Sequence, residues 1–149
     1  MTLLKNVEFK NGVLIWLLVG FYFLLMDSLG LANEPYLKIF NVAFILLGVN
    51  LTVKHYAEKG YAYTKLFAKG VSTAMIGIGL SLVGLFIYFE FMLGGVSLND
   101  YSTTVIPTTD LSRYFIALFA EGLSTSVVIT FAILQYWKNY EPELSNENS

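Results

Sequence analysis

Between Gly70 and Phe89 the chain runs for 20 residues without a single Asp, Glu, Lys, Arg or His. As a helix that stretch rises roughly 30 Å, about the thickness of the hydrocarbon core of a bilayer. Lipid offers no hydrogen bonds to the backbone, so a lone apolar run that crosses it must satisfy its own N–H and C=O groups by coiling. Three further apolar segments accompany this one. The first runs from Val13 to Met26 and continues through Leu29 and Leu31, with Asp27 interrupting. The second lies between Lys38 and Lys54, and the fourth, Leu111 to Trp137, is broken by Arg113 and Glu121. The expected fold is all-α: a polytopic membrane protein with four transmembrane helices forming one domain over residues 1–140. Residues 141–149 are read as an acidic, flexible tail.

Composition supports this class and removes several functions. Of 149 residues 56% are hydrophobic and 13% charged, against roughly a quarter charged in a soluble domain. The absence of Cys excludes disulfide frameworks, thiolate metal sites and iron–sulfur clusters. His55 is the only histidine, so one chain cannot supply a bis-His haem or a His-rich di-metal site. No cofactor and no metal are expected. A net charge of −2 gives no reason for a nucleic acid partner.

Lysine placement predicts the topology. Lys5, Lys10, Lys54, Lys59, Lys65, Lys69 and Lys138 fall on one side of a four-span arrangement, and Lys38 and Arg113 on the other. Positive residues stay in the cytoplasm, so both termini are expected there. Tyr56, Tyr61, Tyr63, Tyr136, Trp137 and Tyr140 gather at the same ends, where amphipathic rings settle among headgroups. Lys5 and Lys10 ahead of the first run give it the shape of a signal peptide. The residues behind it, Asp27 to Ala32, make a poor cleavage site, and the segment is expected to be retained. In the longest external connection, Leu98 to Asp110, Thr108, Thr109 or Asp110 is placed to cap the fourth helix.

A weak internal repeat is visible. Phe9-Lys-Asn-Gly-Val13 opens the first span and Phe67-Ala-Lys-Gly-Val71 the third, and the two spans close on Asp27 and Glu90. This pattern would make two parallel helical-hairpin repeats. The Lys-Gly openings, the tight connection Tyr56-Ala-Glu-Lys-Gly60-Tyr-Ala-Tyr-Thr-Lys65-Leu-Phe-Ala-Lys-Gly70 and the acid near the end of the third span together resemble the bacterial inner-membrane family catalogued as domain of unknown function 4199. The resemblance covers about residues 5 to 138. It implies four membrane helices, a multi-pass location in the bacterial inner (cytoplasmic) membrane and no assigned activity, and it supplies no functional residue. The third connection departs from the family by lacking the charged, Pro-containing stretch such proteins carry after the third span.

Polar residues inside apolar spans are where chemistry would sit. Glu121 stands first: an ionised carboxylate there costs at least about 2.5 kcal/mol, so it must be paired, hydrated or protonated. Its neighbours Ala117, Ala120, Gly122, Ser124, Thr125 and Ser126 are small or hydroxylated, as on a face that meets another backbone. Arg113 lies eight residues earlier and leans away from Glu121, because helical side chains tilt toward the N-terminus. With the expected topology Asp27, Asn41 and Glu90 join Glu121 in one acidic layer, rimmed by Lys38 and Arg113. This layer is the candidate ion or packing site. On the third span Gly70, Ala74, Gly77, Ser81 and Gly84 form a small-residue stripe for close helix contact, with Glu90 about 180° from Ser81. His55, beside Lys54, reads as an interfacial side chain and not as a ligand.

No nucleophile–base pair or metal set can be assembled, which argues against an enzyme. The favoured function is a packing or assembly subunit of a membrane complex, and the alternative is a small proton- or cation-coupled transporter using Glu121. The expected partners are the lipid bilayer and either other membrane subunits or further copies of the chain.

Overall fold

The computed structural model describes residues 6–31, Glu34, Tyr36, Leu37, 39–92 and 111–138. Over these residues the protein is all-helical, with α1 (Val7–Ser28), α2 (Ile39–Ala57), α3 (Tyr63–Met92) and α4 (Leu111–Trp137). Each helix is long and apolar enough to cross a membrane. Two helix ends are set by glycine. Gly30 (φ +70°) and Gly60 (φ +72°) are the described residues in the left-handed region. Each closes a Schellman motif: Gly30 N–H donates to the Asp27 carbonyl and Leu31 N–H to that of Met26, while Gly60 and Tyr61 do the same to Ala57 and Tyr56.

α3 begins at Tyr63, seven residues before the uncharged run starts. The added two turns carry Lys65 and Lys69, which end the apolar stretch without ending the helix. The expected tail at 141–149 and the capping residues Thr108, Thr109 and Asp110 lie outside the described residues.

α3 packs against each of the other helices, α1 and α4 stand at opposite corners, and α2 and α3 meet between them. The bundle differs along its length. At the end where α1 begins and α2 finishes, here the lysine-rich end, the helices touch through glycine. A Cβ on Gly12 would stand 2.6 Å from Ile76 Cγ2, one on Gly77 would stand 2.8 Å from Ile15 Cβ, and one on Gly48 would overlap Ile15 as well. Ile15, 1% exposed, is therefore a knob seated between two glycines on two helices. Val49, Val53, Ala74 and Leu134, none of them exposed, continue this core.

Toward the far end rings replace glycines. Tyr22 packs on Phe40 and Phe44, Phe23 on Tyr88, and Phe86 and Phe89 on Phe115. Rings hold backbones farther apart than glycines do. A cleft of about 560 Å³ opens there, with lining residues that include Trp16, Gly20, Asn41, Ile45, Leu85 and Tyr88.

Candidate functional site

Three helices carry the same order of residues toward the glycine contacts. α1 presents Glu8, then Asn11 and Gly12; α2 presents Tyr56, Thr52 and Gly48; α3 presents Lys69, Thr73 and Gly77. Spacings of three or four residues keep each set on one face, and the bundle brings the three faces together in layers.

The outermost layer is ionic. Glu8 is buried, 7% exposed. Its Oε1 accepts from the Lys69 ammonium and its Oε2 accepts from the Tyr56 hydroxyl at 3.0 Å. The Lys69 ammonium also stands 5.2 Å from the Tyr56 ring centroid, within cation–π range. A carboxylate stripped of water at this position is stable because two donors on two other helices replace that water.

The second layer is a hydroxyl–amide network. Asn11 Nδ2 donates to Thr52 Oγ1 at 2.9 Å. Thr52 donates its own proton to the Gly48 carbonyl at 3.2 Å. The Thr73 hydroxyl lies 3.0 Å from both Thr52 Oγ1 and the Lys69 carbonyl. Thr52 and Thr73 are fully buried, and this arrangement gives each hydroxyl proton an acceptor. Trp137 Nε1 donates to Asn50 Oδ1 at 2.9 Å and Gln135 Nε2 to Tyr63 at 3.3 Å, which fastens the end of α4 to α2 and α3. His55 stacks edge-on to Tyr56, ring centroids 5.2 Å apart.

The acidic layer expected at the far end divides. The Tyr88 hydroxyl donates to Asp27 Oδ2 at 2.5 Å and links α1 to α3. Of that layer Asn41 lines the cleft, and Asp27 is bonded to Tyr88, which lines it too; Lys38 lies outside the described residues. Glu90 and Arg113 are exposed, and Glu121 is half-buried. The small residues around Glu121 lie on different faces: Gly122 abuts Ile78, Ser126 is buried, and Ala120 and Ser124 are exposed.

The stripe on α3 faces inward. Gly70 meets Thr130 of α4 and Val49 and Val53 of α2, Ala74 is fully buried, Gly77 meets Ile15, and Gly84 meets Trp16 Nε1. Ser81 donates to the Gly77 carbonyl at 2.8 Å. The stripe is thus taken up by contacts within the chain.

Sequence reasoning missed Glu8, which precedes the apolar run and looks like an ordinary flanking charge. The available signal was the helical spacing of Glu8, Asn11, Gly12 and Ile15. Among the described residues no three His, Asp or Glu side chains stand close enough to share a metal ion. No family model, curated protein or solved structure matches the chain.

Proposed function

We propose that this multi-pass membrane protein is a non-enzymatic packing or assembly subunit of a membrane complex, located in the bacterial inner membrane with both termini in the cytoplasm. Membership of the four-helix family it resembles is part of the same proposal. The observation that carries it is the outward face of α4. Ala120 and Ser124, one turn apart, are exposed, and Ser124 turns its hydroxyl back onto the Ala120 carbonyl at 2.9 Å. Farther along the helix the same face carries the exposed Val127, Val128, Phe131 and Gln135, so the small-residue patch is confined to Ala120 and Ser124. Small residues with folded-back hydroxyls let a second helix approach closely, whereas lipid gains nothing from them. Half-buried Glu121 stands beside this face and is read as a packing carboxyl within it.

Leu at Ala120 or Ser124 is expected to release any bound subunit during purification from native membranes while the thermal stability of the chain itself is kept. Protein that purifies alone as a monomer, with or without these substitutions, overturns the proposal. A second expectation concerns orientation: reporters fused after Asn139 and within Glu58 to Thr64 read cytoplasmic, and one within Leu98 to Pro107 reads external. An external reading at Asn139 removes the orientation.

A further inference from the structure

The lysine-rich end of the bundle holds more positive than negative charge. Among the described residues its acids are Glu8 and Glu58, and each is already paired, with Lys69 and Lys54 respectively. Lys10, Lys59, Lys65 and Lys138 have no acidic partner there. Three of these four gather about one pocket of about 250 Å³, enclosed by the turn that joins α2 to α3 and by the end of α4. Lys138 lines it, Lys59 precedes Gly60, which lines it, and the Lys65 ammonium stands 5.9 Å from the ring centroid of Tyr61, which lines it too.

Exposure divides the lining. Ala57, Leu66 and Leu134 are buried, whereas Tyr61, Tyr63 and Lys138 are exposed, so an apolar inner wall carries a polar outer one. That outer wall consists of donors. The Tyr63 hydroxyl accepts from Gln135 at 3.3 Å and keeps its own proton to give, and the Tyr61 hydroxyl has no hydrogen bond among the described residues. Trp137 Nε1 is already committed to Asn50. No described Asp or Glu lines the pocket. An ammonium and two phenol donors beside each other select an anion with several acceptor oxygens, which is the chemistry of a phosphate.

Depth selects the source. Tyr63 lies seven residues, about 10 Å of helix, before the uncharged run that starts at Gly70. This is the level of lipid headgroups, where basic pockets among membrane helices meet anionic lipid. The apolar inner wall also disfavours a free, doubly charged phosphate and accepts a diester, which carries one charge and an ester arm.

We propose that this pocket binds the phosphodiester headgroup of an anionic phospholipid, of the phosphatidylglycerol type, with Lys138 on the phosphate and the Tyr61 and Tyr63 hydroxyls donating to its oxygens. Ala120 and Ser124 take no part, so the site stands or falls separately from the α4 face.

The test is native mass spectrometry of the full-length protein released from neutral detergent after incubation with dioleoylphosphatidylglycerol or dioleoylphosphatidylcholine. The two probes share chains and phosphate, and the second adds a cation that lysine repels. One phosphatidylglycerol per chain is expected to be retained, about tenfold more firmly than phosphatidylcholine. Lys138→Gln is expected to remove most of that preference and Tyr63→Phe part of it, with thermal stability kept, since both side chains are exposed. Lys10→Gln, on the opposite corner of the bundle, is expected to leave it unchanged. Equal retention of the two lipids, or equal losses from Lys10→Gln and Lys138→Gln, would reduce the site to a diffuse basic surface and overturn it. Displacement of the lipid by excess inorganic phosphate would make the ligand a free anion and overturn the lipid. Retention seen only after Glu141→Gln and Glu143→Gln would give the pocket to this chain's own carboxylates, with the same consequence.

Discussion

Leucine at Gly77 is expected to disrupt the bundle, and leucine at Gly79, two residues away, is expected to be accepted. A Cβ on Gly77 would lie 2.8 Å from both Cβ and Cγ2 of Ile15 and 3.2 Å from the Gly12 carbonyl oxygen. Those are stiff atoms. Ile15 cannot step aside, because on its other flank its side chain already fills the space a Cβ on Gly48 would need. The substitution must instead drive α1 from α3, at a cost of about 3 kcal/mol or more. Around Gly79 an added Cβ finds nothing within 4 Å, and leucine there also improves helix propensity. The two variants differ little in composition and greatly in consequence. Thermal unfolding of both in detergent, followed by loss of helical signal, measures the difference; similar midpoints would mean that the glycine contact does not hold the helices.

The same site supplies an internal control. Ile15→Ala alone leaves a cavity and is expected to cost about 2–5 kcal/mol. Combined with Gly77→Val, part of that space is refilled from the opposite helix, so the double variant is expected to be more stable than the sum of the two losses implies. Ile78→Leu is a volume-conserving exchange and Val83, 57% exposed, lines no contact of this kind, so leucine at either position is expected to be mild.

The stripe Gly70, Ala74, Gly77, Ser81 and Gly84 was legible in the sequence because helical periodicity is a property of one segment. What lay opposite was not legible. That Gly77 meets Ile15 while Gly70 meets Thr130 depends on the relative rotation of three helices, and no single segment records it. Helix ends show the same limit. Hydropathy marks where the chain leaves an apolar environment, and α3 continues past that point through Lys65 and Lys69 because nothing breaks its hydrogen bonding before Gly60 and the turn behind it. The polar site was obscured for a related reason. Glu121 and Asp27 draw notice because they interrupt apolar runs, whereas Glu8 stands outside one and becomes significant only when Tyr56 and Lys69, 48 and 61 residues away, are folded against it.

Removal of the Lys69 ammonium is expected to cost more than removal of the Glu8 charge. In Lys69→Met the carboxylate of Glu8, 7% exposed, keeps only the Tyr56 hydroxyl. A buried charge left without its cation costs about 3–5 kcal/mol when fully enclosed, and a surface pair contributes about 0–1 kcal/mol. The Lys69 side chain is 38% exposed, so water softens the loss and roughly 2 kcal/mol is expected. For a chain of this size that is a fall of roughly 4–8 °C in Tm. In Glu8→Gln the amide still accepts from Tyr56 or Lys69 and no carboxylate is stranded, while the remaining ammonium reaches water on its exposed side. About half the loss is expected there. The double variant carries neither stranded charge, so its loss should fall short of the sum by about 1 kcal/mol. Strict additivity, or a larger effect at Glu8 than at Lys69, would show that the two groups are solvated separately. The three helices would then be held at this end by the Asn11–Thr52–Thr73 layer and the glycine contacts beneath it.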